Sequence, residues 1–191
     1  AGWLLDQAGM DVPDGILSVV PDVDGISVSV SGEVTGDALN VPWAERADYL
    51  VGLARQDSGL AVYLAPKEAF TATADQNIAR DPRDAAEFSG TAQLATAPAS
   101  FNAETLRLYG AMVRSAQMAG ALERILEDTL EYTGDRTQFG KPIGKFQVIQ
   151  QNLAMTAAEI AAAVMAAQNA FRAAEQGTPD FEAACAKVLV G

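Results

Sequence analysis

Tyr132-Thr-Gly134-Asp-Arg136-Thr-Gln138-Phe139-Gly140-Lys-Pro142-Ile143-Gly-Lys145 runs straight into Phe146-Gln147-Val-Ile149-Gln150 and joins two long stretches of helical periodicity. A permanent cation, an amide and an aromatic ring fall within four residues of one another. The guanidinium fork of Arg136 fits phosphate oxygens, and Gln138 adds a neutral donor and acceptor. Phe139 adds a flat apolar face. Gly140 and Pro142 punctuate the loop, and proline suits the start of the next helix. The loop therefore reads as a seat for a phosphate-bearing ligand with a ring system. A helix–helix turn with a surface arginine is the competing reading.

Upstream, Asn102 is placed to cap a helix, with Glu104 in its first turn where the helix dipole favours an acid. Leu108, Met112, Ala116, Ala119, Leu122, Leu126 and Leu130 form one apolar stripe, and Gly134 is expected to end the helix. Glu123, Glu127 and Glu131 form an acidic stripe that reads as a solvated face. Downstream, Phe146, Ile149, Leu153, Ala157, Ile160, Val164, Ala167 and Phe171 recur by threes and fours, a seam for packing against another helix. Gly177 stops that helix. Thr178 is expected to cap a third, with Pro179 at its first helical position.

Before the connector Thr96-Ala-Pro98-Ala-Ser100 the pattern is β-rich. Ile26, Val28 and Val30 alternate with Ser27, Ser29 and Ser31, and Gly32 follows as a turn. Tyr49 to Ala54 and Leu60 to Ala65 flank Arg55-Gln-Asp57-Ser-Gly59, a hairpin pattern. Ser18 to Val20 and Phe70 to Thr73 are shorter strand candidates, Asp81 to Arg83 is a turn, and Glu87 to Leu94 is a last strand. The β-then-α order predicts an α+β chain: a small antiparallel β-barrel or sandwich over 1–100, then an antiparallel helical bundle over 101–191.

The 191 residues carry 13 basic against 25 acidic side chains, a net charge of −12, and no histidine. That balance opposes nucleic-acid binding, which rests on phosphate neutralisation. It also excludes histidine triads and histidine-ligated metals within this stretch. No run is apolar enough to span a bilayer, and no basic segment with an apolar core opens the stretch. The single Cys185 fits a reducing, cytoplasmic setting and reads as a small buried hydrophobe. The apolar start at Trp3 to Leu5 and the helical pattern still running at Val188 to Gly191 read as chain ends cut within longer elements.

The stretch Arg136-Thr-Gln-Phe-Gly-Lys-Pro-Ile, with Phe146-Gln-Val-Ile-Gln150 and Leu153-Ala-Met155, resembles the acyl-CoA dehydrogenase signature that opens the C-terminal helical domain. The likeness is close over about residues 104–175 and loose before 100. It implies that 1–100 is the middle β-domain with a few residues of a preceding helix, that 101–191 starts the C-terminal bundle, and that further helices lie on either side. It implies FAD as cofactor, with Arg136, Gln138, Phe139, Phe146 and Gln147 contacting it, usually across a subunit interface. The implied reaction is α,β-dehydrogenation of an acyl-CoA thioester, with electrons passed to an electron-transfer flavoprotein, in a homodimer, a tetramer or a hetero-oligomer.

The catalytic carboxylate usually lies C-terminal of this stretch. The alternative family position corresponds to Gly110, which is expected on an interior face near the acyl pocket but carries no acid, so no catalytic residue is assigned. Neither Glu104 nor the Glu123 stripe suits that role in position or exposure. The usual W-I-T strand is also missing, and Trp43 is read either as an aromatic wall to the flavin or as a core or hairpin-cap residue. Three other readings stay open: a catalytically silent, FAD-supporting subunit, a flavin oxidase or monooxygenase on this scaffold, and a helical interaction module without cofactor.

Overall fold

The computed structural model describes residues 1–56, 59–177 and 179–191, with Ala103 described by its backbone alone. Two compact units emerge, 1–107 and 108–191. The first opens with a short helix, α1 (Gly2–Gln7), and then runs through β1 (Leu17–Val19), β2 (Ile26–Val28), β3 (Glu33–Pro42), β4 (Tyr49–Gln56), β5 (Gly59–Pro66), β6 (Phe70–Thr73), β7 (Arg83–Thr91) and β8 (Gln93–Thr96). They form one eight-stranded sheet in the order β6-β7-β3-β2-β4-β5-β8, with β1 also on β4. The pairings are antiparallel except β1 and β2 on β4, which are parallel.

The expected hairpin forms as β4 and β5: Tyr49 pairs with Pro66 and Gln56 with Gly59. Its tip, Asp57-Ser58, lies outside the described residues. From Leu50 to Ala54 and from Ala61 to Ala65 the two strands are continuously apolar and buried, because both faces are covered there. One face adds Tyr63, Leu50 and Ala54 to a core with Val34, Val41, Phe70 and Phe88. The other adds Val51, Leu53, Val62 and Leu64 to a core with Leu4, Leu5 and Leu106.

Elsewhere the strand pattern needs correction. Alternation stops at Val28, because Gly32 N–H donates to Ser29 O and turns the chain. Val30 at the corner is 91% exposed. The longest strand, β3, was not expected. Its buried residues Val34, Ala38 and Val41 break the period of two, because a bulge with Asn40 at φ 58° separates the last pair. The single expected strand over 87–94 is two, β7 and β8, interrupted where Ala92 N–H turns to Gly32 O.

The helical boundary falls where the connector places it. Asn102 Oδ1 accepts the Glu104 N–H at 2.9 Å, and Thr105 Oγ1 accepts the Asn102 N–H at 2.9 Å, a reciprocal cap that starts α2 (Ala103–Asp135). The helix runs through Gly134 rather than ending there. α3 (Gln147–Glu175) and α4 (Asp180–Val190) follow. Pro179 precedes α4 instead of opening it, and the Thr178 cap lies outside the described residues.

In the second unit Met112 packs with Ala170, Ala183 and Ala186, and Ala119 with Ala163, Ala167 and Val190. Advancing along α2 thus means retreating along α3, so the two are antiparallel. The alanines let the backbones approach closely. The stripes are shifted from expectation: Ser115 is fully buried where Ala116 was expected, Leu130 and Phe171 are exposed, and Ala163, Ala170 and Ala173 join Ile160 and Ala167 inside. Gly110 is exposed, and a Cβ there meets nothing within 4 Å, so it does not sit on an interior face of this chain. Cys185 is half-buried rather than buried.

Tyr63 is fully buried, its ring edge-on to Phe88 at 5.9 Å, and its hydroxyl has no hydrogen-bond partner among the described residues. It crosses over Gly52 on the paired strand, where a Cβ would come 2.6 Å from the oxygen. Burial raises the phenol's pKa above its ordinary 10.0. The unfolded chain therefore ionises first, so stability is intact below pH 10 and falls as pH rises beyond it. Tyr63→Phe is expected to stabilise the fold by about 1 kcal/mol and to flatten that alkaline loss. Urea unfolding at pH 7 and about pH 11 checks both effects, and equal slopes in the two proteins contradict the assignment.

Candidate functional site

The end of α2 and the start of α3 build the 132–147 segment. Arg136 N–H still donates to Tyr132 O, as in a last helical turn, while its carbonyl accepts the Ile143 N–H at 2.8 Å. Between them Thr137 pairs with Pro142 and Gln138 with Lys141, as β9 (Thr137–Gln138) and β10 (Lys141–Pro142). The connecting pair has φ 53° at Phe139 and φ 80° at Gly140, the two positive values of a type I′ hairpin turn. The segment is thus a closed two-residue hairpin, where the sequence reads as an irregular loop. A glycine between short extended pairs is the signal that marks it.

Phe139 is an unusual occupant of that turn. A bulky side chain in the left-handed region costs on the order of 1–2 kcal/mol. Its ring gains little burial in return, being 93% exposed. It stands perpendicular to the Phe146 ring, 6.3 Å away between centroids at 87°. The Lys141 ammonium stands 4.4 Å from the Phe146 centroid, a cation–π contact that the spacing alone does not reveal.

The hairpin is fastened to α2 at Thr133. Its hydroxyl donates to Thr129 O at 2.8 Å and Leu130 O at 3.1 Å. A Cβ on Gly144 would lie 3.1 Å from the Thr133 carbonyl oxygen. Glycine lets the turn Ile143–Lys145 pass against the helix end, and α3 then begins at Gln147. Phe146 stands at the N-cap of α3 and makes no side-chain cap hydrogen bond, so among the described residues no cap side chain meets the positive end of that helix.

Arg136, Gln138, Phe139 and Gln147 are exposed and Phe146 is half-buried. Among the described residues the Arg136 guanidinium makes no ion pair. Further up α2, Arg124 holds Asp128 at 2.6 Å and Glu127 at 3.5 Å. From Arg136 to Gln147 every charged residue is basic, Arg136, Lys141 and Lys145, a local cationic stretch on a strongly acidic chain. The hairpin can receive an oxyanion at Arg136 and a flat ring at Phe139 and Phe146. As for an acid, Glu104 is exposed and paired with Arg107 at 3.3 Å. Trp43 lies outside the apolar cores, at the head of the short helical turn Ala44–Arg46, with the Arg83 guanidinium 5.5 Å from its ring.

Residues 104–191 match the family of acyl-CoA dehydrogenase C-terminal domains. A probable short/branched chain specific acyl-CoA dehydrogenase of Dictyostelium discoideum is 40% identical over 75 residues, 39% of this chain and 18% of that protein. Acyl-CoA dehydrogenase FadE27 of Mycobacterium tuberculosis is 33% identical over 133 residues, 63% of this chain and 34% of the relative. The crystal structure of the ChsE4-ChsE5 complex from Mycobacterium tuberculosis superposes with a TM-score of 0.76 at 28% identity, over 92% of this chain and 51% of that one. The chain thus spans about half the length of a structure whose fold it shares, and less of the two curated relatives.

If Phe139 is retained for its ring, the fold gains from losing it. Phe139→Asn, a residue that tolerates the left-handed turn, is expected to raise thermal stability by on the order of 1 kcal/mol. Calorimetry checks this, and an unchanged or lower melting temperature would show that the turn is not strained by phenylalanine.

Proposed function

We propose, from the premise that this chain belongs to the acyl-CoA dehydrogenase family, that the 136–147 hairpin is a seat for the ADP half of FAD. The observation that carries this is the exposed, unpaired Arg136 guanidinium at the root of a hairpin that holds the Phe139 ring outward. Arg136 would clamp the pyrophosphate with two parallel N–H bonds, at roughly 1.5–3 kcal/mol for each charged hydrogen bond. Gln138 would supply a neutral donor and acceptor beside it. Phe139 and Phe146 would cover a ring of the cofactor, and Gln147 would add its amide at the uncapped start of α3. Bound FAD would supply the hydride acceptor for α,β-dehydrogenation of an acyl-CoA thioester.

The chain's own residues hold and orient the cofactor. The proton-abstracting carboxylate is expected from outside this stretch, and electrons would leave to an electron-transfer flavoprotein. The exposed Leu130, Tyr132, Phe139 and Phe171 favour an oligomer in which a second subunit covers them. A cytoplasmic setting suits the lone cysteine.

A second reading has the chain as an FAD-supporting subunit that leaves catalysis to a related partner. Gly110 in place of a carboxylate favours it, as does the likeness to a structure solved as a complex of two different chains.

In the full-length protein, Arg136→Lys keeps the charge but loses the fork and is expected to lower the flavin retained on purification. Arg136→Ala is expected to weaken retention further, by about 2–3 kcal/mol, with helix content unchanged. Visible flavin absorbance per mole of protein measures it. An alanine variant that keeps the wild-type flavin content removes Arg136 from the site.

A further inference from the structure

The sequence holds two Asp-Gly pairs, Asp14-Gly15 and Asp24-Gly25, each followed by isoleucine, and no Asn-Gly pair. In an Asp-Gly pair the glycine nitrogen can close a succinimide ring on the preceding carboxyl, and no Cβ obstructs its approach. Local sequence hardly separates the two pairs, but the fold does. From Asp11 to Gly15 the chain makes no hydrogen bond or ion pair among the described residues, and Asp11, Val12, Asp14 and Gly15 are exposed. The first anchor is Ile16, whose N–H donates to Asp48 Oδ2 at 2.8 Å and whose carbonyl accepts the N–H groups of Asp48 at 2.8 Å and Tyr49 at 3.1 Å. Gly15 leads into that anchor at φ 137°, resting against the Asp48 and Tyr49 side chains. Asp14 is therefore tethered on its C-terminal side alone.

Asp24 is held on both sides. Before it, Val23 is buried in the core with Leu5 and Val51, and the Asp24 N–H donates to Asp22 Oδ1 at 3.1 Å. After it, Gly25 lies against the main chain of β3. Its carbonyl accepts the Asp37 N–H at 3.2 Å, and a Cβ on it would come 2.4 Å from Asp37 O. Arg55 Nε also donates to Asp24 Oδ1 at 2.8 Å. That ion pair is exposed and constrains little, so the main-chain clamp is the larger obstacle to ring closure.

We propose that Asp14 isomerises spontaneously in the folded protein, through a succinimide to isoaspartate, while Asp24 stays intact. Gly15 N attacks the neutral Asp14 carboxyl. The Cγ–N bond forms, and the carboxyl hydroxyl leaves as water with the N–H proton. Water then opens the ring. Addition at Cγ breaks the new bond and restores aspartate. Addition at the Asp14 main-chain carbonyl breaks its bond to Gly15 N, routes the chain through Cβ and Cγ, and leaves a free α-carboxylate. The reaction needs only water, and nothing is oxidised or reduced. The product lengthens the main chain by one methylene ahead of Ile16. The unanchored 11–14 segment absorbs that length, and the pairing of Leu17 with Tyr49 persists. The exposed isoaspartyl α-carboxylate is a group that methyl-transferring repair enzymes esterify.

Peptide mass spectrometry after incubating the full-length protein in oxygen-18 water tests this, at mildly acidic pH where more of the carboxyl is neutral. Each ring opening leaves one heavy oxygen in the residue. Label and isoaspartate at Asp14 are expected to exceed those at Asp24 about tenfold or more, the rate equivalent of holding one residue's backbone fixed. In the urea-unfolded chain the two pairs are expected to label alike. Asp14→Glu should end labelling at that position, because glutamate must close a larger ring, and should melt at the wild-type temperature, because the Asp14 carboxylate is uncommitted. The chemistry draws on neither the 136–147 hairpin nor a cofactor, so the result is independent of flavin retention. Equal labelling of Asp14 and Asp24 in the folded protein overturns the proposal, as does an Asp14 that labels only after unfolding or not at all. Unequal labelling in urea would assign the difference to local sequence and overturn the role of the fold. A lower melting temperature in Asp14→Glu would show a committed carboxylate and contradict it as well.

Discussion

The contact between the Thr133 carbonyl and Gly144 sets the geometry of the helical unit. With no side chain at 144, the chain leaving the hairpin passes against the last turn of α2, and α3 can begin immediately and run back along it. The alanine seam exploits that return. Ala119, Ala163, Ala167, Ala170 and Ala186 bring backbones close, and larger side chains there would force the helices apart. The hairpin is thus a rigid joint whose exposed tip is fixed by the same contacts that fix the helices, and Arg136 sits at its root.

Strain and exposure are concentrated where the packing supports them. Phe139, Trp43 and Arg80 all adopt backbone conformations that other residues would take at lower cost. None of the three is a core residue. Phe139 is held by the Thr137–Pro142 and Gln138–Lys141 pairing, and Trp43 by a turn that Lys67 and Asp84 pin from two sides. Each presents a polarizable or cationic group outward from a frame that cannot easily relax.

Much of this architecture was legible in the residues, and the failures have physical causes. The β4–β5 hairpin was readable because a strand buried on both faces shows an unbroken apolar run. The start of α2 was readable because Asn102 makes the bond its side chain implies. β3 was not, because a bulge at Asn40 breaks the alternation that marks a strand. The α2 stripe slipped at Ser115, because serine is small enough to pack like alanine although its hydroxyl argues for the surface. At the candidate site the residue types pointed to a phosphate and a ring. The hairpin, the left-handed Phe139 and the Lys141–Phe146 contact depend on three-dimensional pairing that spacing does not encode.

The central claim is that Arg136 contacts phosphate, and phosphorus NMR of the full-length protein loaded with FAD tests it most directly. The account predicts that the pyrophosphate resonances of the bound cofactor differ between the wild type and Arg136→Lys while the visible flavin spectrum stays the same, because only the phosphate end loses its fork. Superimposable phosphorus spectra from the two proteins would contradict it.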